Sequence, residues 1–167
     1  MRFTLYTDYA LLSLVYIAVK TAGDENSLTS ISALSEDLGI SRNHAVKVVY
    51  SLSQNGYLKT VRGHNGGIRL AMRPEEIVLG SVVADMEDFS TLMSCSRTGC
   101  RVHPVCRFKP IMRLASDAFL DVLRKFTLAD LLSGDDVFQR TVSQEGNSQA
   151  VLETVTNSNV KKDSGGV

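Results

Sequence analysis

The sequence has no excess of charge of either sign: 18 Lys and Arg balance 18 Asp and Glu. Polyanion binding by sheer positive charge is thereby excluded, and a nucleic-acid reading has to rest on how the charges are distributed. No uninterrupted apolar run reaches the roughly 18 residues that a membrane span needs. The start, Met1-Arg2-Phe3-Thr4, leads into an apolar stretch, but Asp8 interrupts it and no small-residue cleavage site follows, which argues against a signal peptide. Together these absences predict a cytoplasmic protein with no membrane partner. Cysteine is missing everywhere except one twelve-residue window, Cys95 to Cys106. Thiols clustered in this way in a reducing cytosol point to metal or redox chemistry and exclude a disulfide framework. The glycines at Gly63, Gly66 and Gly67 are not followed by Gly-Lys-Ser/Thr, so a phosphate-binding P-loop is excluded as well.

What is present fits one domain, or a small domain with an appendage: 167 residues, 44% hydrophobic and 22% charged, as in an ordinary globular chain. Charge is unevenly spread. From Asn26 to Leu70 five basic residues (Arg42, Lys47, Lys59, Arg62, Arg69) face two acids (Glu36, Asp37), while Gly134 to Val167 carries three basic and five acidic residues.

Leu5, Tyr9, Leu12, Tyr16 and Val19 recur at three- and four-residue intervals and predict a largely buried helix over 4–20, capped by Thr4 or Thr7. Leu28 to Ile40 predicts a short helix stopped by a left-handed Gly39. Ser41 is a natural N-cap for a third helix, with Ala45, Val46, Val48, Val49 and Leu52 as its buried face and Gly56 closing it. Two short helices across a tight glycine turn, the second opening on Ser41, Arg42, Asn43, His44 and Lys47, have the form of a helix-turn-helix whose recognition helix enters the major groove. Tyr57–Val61 and Ile68–Leu70 then pair as strands across Arg62-Gly63-His64-Asn65-Gly66-Gly67, a wing carrying Arg62, His64 and Arg69 toward phosphate or the minor groove. An ordinary hairpin turn is the plainer reading of that loop taken alone.

Pro74-Glu75-Glu76-Ile77 predicts a further helix ending near Glu87. Ile111, Leu114, Ala115, Ala118, Phe119, Val122, Leu123 and Phe126 predict a helix of about four turns whose apolar stripe suits dimerisation. Gly134 onward is polar and without a repeated apolar face, which predicts a disordered tail. The expected fold is mainly α with a small β wing: a winged helix-turn-helix over 1–73, a cluster-binding loop and long dimerisation helix over 74–133, and the tail over 134–167.

Cys95-x4-Cys100-x5-Cys106 places three soft donors, suited to an iron-sulfur cluster or to zinc, in one loop containing Gly99 and Pro104. Both kinds of site take four ligands. His103 would complete a Cys3His zinc site locally, and a thiolate enzyme pairing Cys106 with His103 is a further alternative. Asp8 is distant in sequence, and on spacing alone it reads as an acid favoured by the helix N-terminus.

The opening Leu5-Tyr6-Thr7-Asp8-Tyr9-Ala10-Leu11, the helix-turn-helix, the wing from Val61 to Leu70, Glu76-Ile77 and the clustered cysteines together resemble the BadM/Rrf-two family of transcription regulators over residues 1–133. The cysteine spacing, the Tyr-Thr-Asp-Tyr-Ala start and Lys109, where the cluster-biogenesis branch has a histidine ligand, resemble the nitric oxide-sensing repressors of that family. The iron-responsive branch is the alternative. The resemblance implies no enzyme activity but a homodimer on double-stranded, pseudo-palindromic DNA. It also implies a 4Fe-4S or 2Fe-2S cluster on Cys95, Cys100 and Cys106, with Asp8 of the partner subunit as fourth ligand and nitric oxide as signal.

Overall fold

Thr4 adopts extended backbone and its Oγ1 accepts a hydrogen bond from the Thr7 amide at 3.4 Å, which starts helix α1 at Leu5 and leaves Thr7 inside it. In the computed structural model, which describes residues 3–23, 27–63, 65–89 and 106–133, α1 runs Leu5–Lys20. Leu14, Val15, Tyr16, Ile17 and Ala18 are buried in succession, so the helix is enclosed on all sides over its second half. The predicted stripe faces inward only in part: Tyr16 is buried, and Tyr9 and Val19 are half-buried. Leu5 and Leu12 are 61% and 48% exposed, and the small residues Thr7, Ala10 and Ser13 are buried in their place. Apolar residues cover so much of this helix that periodicity does not choose a face.

Ser30, not a residue before Leu28, caps α2 (Ile31–Asp37) by accepting from the Ala33 amide at 3.0 Å. Leu28 and Thr29 are drawn out of the helix because Thr29 pairs with Ile68, exchanging amide-to-carbonyl bonds of 3.0 and 2.8 Å. Gly39 is left-handed at φ +62°, as the turn requires, and Ser41 caps α3 (Arg42–Gln54). Tyr16 donates to Asp37 Oδ2 at 2.8 Å, and Lys20 lies 3.3 Å from the same oxygen, which ties the end of α2 to α1. Ala45, Val48, Val49 and Leu52 form the buried side of α3.

The wing is an antiparallel pair, β1 (Leu58–Val61) and β2 (Gly67–Leu70), in the register Leu58↔Leu70, Lys59↔Arg69, Thr60↔Ile68 and Val61↔Gly67. A Cβ at Gly67 would lie 2.6 Å from the Thr29 carbonyl oxygen, so glycine allows the Thr29 bridge. Tyr57, at the base of the wing, donates to Asp85 Oδ2 at 2.6 Å. Burial and the adjacent carboxylate push its phenol well above the usual tyrosine range.

The helix predicted from Pro74 is broken in two. Pro74–Glu76 is a single 3-10 turn, Ile77 is extended, and α4 (Leu79–Met86) begins only afterwards. The cause is a bridge to the end of the long helix: Val78 pairs with Thr127, the Leu128 amide donates to Ile77 O at 2.8 Å, and Ile77 and Leu128 are both fully buried. The long helix, α5, is Phe108–Leu123, with Pro110 in its first turn where no amide bond is lost. The short α6 (Leu128–Leu132) follows; its Asp130 accepts from the Thr127 amide and hydroxyl, which hold that carboxyl below the usual range. No described helix is long and apolar enough to cross a membrane. The tail expected over 134–167 lies outside the described residues.

Helix α4 meets α5 at Gly80, where an added Cβ would sit 2.6 Å from Arg124 Cγ and 2.8 Å from the Leu120 carbonyl oxygen. Backbone blocks one side of that contact, so relief needs the two helices to separate. Gly80→Ala is expected to lower stability by about 1–3 kcal/mol. Urea unfolding followed by circular dichroism checks this; an unchanged midpoint would show that α4 and α5 are not in close backbone contact.

Candidate nucleic-acid interface and cluster site

The N-terminal part of α3 is exposed where a reading helix has to be: Ser41, Arg42, Asn43, His44 and Lys47 all reach solvent. They are not equally free. Arg42 Nη1 donates to Ser32 Oγ on α2. His44 Nδ1 is 3.1 Å from Ser41 Oγ, and its ring centroid lies 5.8 Å from that of Tyr9 on α1. Asn43 and Lys47 lie opposite the buried side of the helix, and two residues absent from the expected reading set share that outward surface. Val46, predicted to be buried, is 44% exposed, and Tyr50 is 66% exposed. An apolar residue in a helical repeat is ordinarily taken for core, which is why the pattern hid Val46; its one sequence signal is the basic and polar company of Asn43 and Lys47.

On the wing, Arg62 is exposed beside Gly63, which takes φ +120° at the hairpin tip. Arg69 is half-buried on β2 directly opposite Lys59, and Lys59, exposed on β1, was not among the expected contacts. His64 lies outside the described residues. Strand β1 is fixed to the far end of α3 through Ser53 Oγ and Thr60 Oγ1, 3.3 Å apart. The recognition helix and the wing are thus joined locally as well as through the core.

Asp8 is half-buried in the first turn of α1, and among the described residues its carboxylate has no ion-pair partner. The residues on either side of it engage α3. Tyr6 donates its hydroxyl to Lys47 O at 3.1 Å, and Tyr9 packs on His44. The start of α1 is also held from the other side: Glu87 Oε1, just past α4, accepts from the Thr4 amide at 2.6 Å and the Thr4 hydroxyl at 3.0 Å. Phe3 and Phe89 both approach the ring of Phe119 on α5, at 5.8 and 6.4 Å.

Cys106 is a free, half-buried thiol immediately before Arg107, the N-cap of α5. Cys95, Cys100 and His103 fall within 90–105, outside the described residues, and no group of three or more His, Cys, Asp or Glu is assembled among the described ones. A free thiol at Cys106 and a half-buried carboxylate at Asp8, without an ion-pair partner among the described residues, are donors of the kind a thiolate-bound cluster accepts, so these two residues fit such a group. Along α5, Phe108, Ile111, Leu114 and Val122 are exposed, Leu114 at 68%.

Residues 3–134 match the Rrf2 family, described as iron-dependent transcriptional regulators. The chain belongs to the Rrf2 family. It is 38% identical over 146 residues to the HTH-type transcriptional regulator NsrR of Bacillus licheniformis, covering 86% of this chain and 100% of that protein. It is 42% identical over 142 residues to NsrR of Halalkalibacterium halodurans, covering 83% and 95%. Its fold is that of the solved structure of T. potens IscR, with a TM-score of 0.59 at 21% identity over 79% of this chain and 86% of that one. Rrf2 proteins are transcriptional regulators and not enzymes, which sets aside the Cys106 catalytic alternative.

For an Rrf2 regulator, an exposed arginine at the wing tip is expected to contact phosphate. Arg62→Ala should weaken binding across duplexes of unrelated sequence and reduce the slope of log affinity against log salt by about 1. A fluorescence-anisotropy salt titration reads both. Unchanged affinity and slope would remove Arg62 from the interface.

Proposed function

We propose that this Rrf2 regulator is a homodimeric repressor that senses nitric oxide through a 4Fe-4S or 2Fe-2S cluster, held by Cys95, Cys100 and Cys106 of one subunit and Asp8 of the partner subunit. The observation that carries this reading is the position of Asp8: a half-buried carboxylate with no ion-pair partner among the described residues, close in sequence to two tyrosines, Tyr6 and Tyr9, that touch α3. The likeness to NsrR over most of both chains supports it. When bound, the cluster supplies irons open to attack by a small ligand such as nitric oxide.

The protein's own residues do the rest. Three thiolates are soft donors and hold such a group firmly, whereas a carboxylate is harder and is the weakest of the four. Asp8 would therefore be the weakest of the residues that hold such a group. Engaged, Asp8 fixes the first turn of α1, and Tyr6 and Tyr9 carry that position to Lys47 and His44 on α3. Released, the start of α1 would keep, among the described residues, the bonds of Thr4 to Glu87 and the contact of Phe3 with Phe119.

The exposed apolar side of α5 is the surface that a second copy would cover. Such a dimer presents two recognition helices, which a pseudo-palindromic operator requires to lie about 34–36 Å apart, one turn of DNA. A shift of α1 that costs about 2.7 kcal/mol of differential binding is enough to lower operator affinity a hundredfold. In this reading residues 1–73 read DNA, and residues 74–133 hold the cluster and the partner.

Substitution separates this assignment from a zinc-stabilised Cys3His site and from an iron-responsive regulator. Asp8→Ala is expected to fold and dimerise yet alter the visible spectrum of the anaerobically purified protein or its reaction with nitric oxide. His103→Ala should leave both as in the wild type, and each Cys→Ser change should abolish or severely weaken the absorption. A colourless zinc protein, or loss of the chromophore in His103→Ala with wild-type behaviour in Asp8→Ala, overturns the ligand set. A coloured protein that responds to iron supply and not to nitric oxide overturns the signal.

A further inference from the structure

The outward surface of α3 is not purely polar. Val46 stands between Asn43 and Lys47 in sequence order and on the same side of the helix, and Tyr50 follows one turn later. Single exposed apolar residues are commonplace on protein surfaces and by themselves mean little. Position is what distinguishes this pair. Any docking of α3 that brings Asn43 and Lys47 to base edges also brings the valine there, because it lies within the first turn and a half of the helix, the part that enters the groove.

Valine has no donor or acceptor. Beside the exocyclic amino group of cytosine or adenine, or the O6 and N7 acceptors of guanine, it would displace water and return no hydrogen bond. The feature of the major groove that it complements is the C5-methyl group of thymine. Tyr50, 66% exposed, extends the strip by one turn with an aromatic ring that ends in a hydroxyl. We infer that Val46 is a specificity-determining residue that selects thymine within each operator half-site through van der Waals contact with the thymine methyl group, with Tyr50 bordering that contact. The inference rests on the DNA-binding reading of α3 and adds to it the base that is read.

The test isolates one methyl group. Duplexes are enriched from a random pool with the full-length, cluster-loaded protein, and each thymine of the enriched site is then replaced in turn by deoxyuridine, which keeps every hydrogen-bonding edge and removes only the methyl. At one thymine in each half-site the wild type should bind the uridine duplex about fourfold more weakly, the value of one buried methyl. Val46→Ala should bind the thymine and uridine duplexes equally at that position. Lys47→Ala, although weaker overall, should keep the fourfold difference. Val46 is substantially exposed, so its alanine variant is expected to fold, and circular dichroism establishes that it does. The inference is overturned if no thymine is sensitive, or if Val46→Ala keeps the wild-type difference at every position. Failure to enrich any duplex is a separate result, which would overturn the DNA-binding reading itself.

Discussion

Helix α1 has to be enclosed. From Leu14 to Ala18 its residues are buried one after another around the whole circumference, and a helix apolar on every side is stable in water only when other elements cover it from several directions. The first two helices of the DNA-reading motif, the second wing strand, α4 and α6 all pack on it. Burial of an aliphatic or aromatic side chain contributes about 1.5–3 kcal/mol, and Tyr16, Leu14 and Ile17 are each almost completely removed from solvent. The reading unit and the segments that flank the cysteines are therefore not separate bodies joined by a linker. They share one central helix.

In the proposed function, that shared helix is what would connect a signal to DNA. Near its start it carries Tyr6, Asp8 and Tyr9, all half-buried: one residue suited to a ligand's role between two that contact α3. The other end of the coupling is the Thr4 clamp by Glu87, the last described elements before the cysteine segment being Glu87 to Phe89. Under that proposal a change in how Asp8 is held would act on α3 through the contacts of Tyr6 and Tyr9, so no long relay would be needed. Coupling of this kind requires α1 to have two positions of similar energy, and the polar, half-exposed character of its first turn, against the tightly buried second half, is the part of the helix that fits such a requirement.

Much of the architecture was legible from short-range chemistry. Thr4 and Ser41 cap where their side chains predicted, Gly39 and Gly56 are left-handed where helices stop, and the glycine-rich hairpin sits between Val61 and Gly67. What escaped the sequence depends on partners far along the chain. Leu28 and Thr29 read as helix because nothing nearby announces the pairing of Thr29 with Ile68. Pro74-Glu75-Glu76 reads as a helix start, yet Ile77 is held extended by Leu128, fifty-one positions later. Periodicity misplaced Leu5, Leu12 and Val46 because it detects apolar spacing and not the side from which neighbours arrive. Of the site, the exposure of Ser41, Arg42, Asn43, Lys47 and Arg62 was foreseeable, whereas the Tyr6 and Tyr9 contacts to α3 and the outward Val46 and Tyr50 were not. The role of Asp8 came from family resemblance, since an acid in a first helical turn has a sufficient reason to be there without any ligand.

The claim on which the account depends is that the state of one bound group is transmitted through α1 to the grip of α3 on DNA. It is tested most directly by measuring operator affinity of the anaerobically prepared, cluster-loaded dimer by anisotropy at fixed salt, before and after a stoichiometric addition of nitric oxide. The account predicts a loss of about a hundredfold, with dimer mass unchanged by light scattering. Equal affinity before and after, in a protein whose spectrum shows that the nitric oxide has reacted, would contradict it.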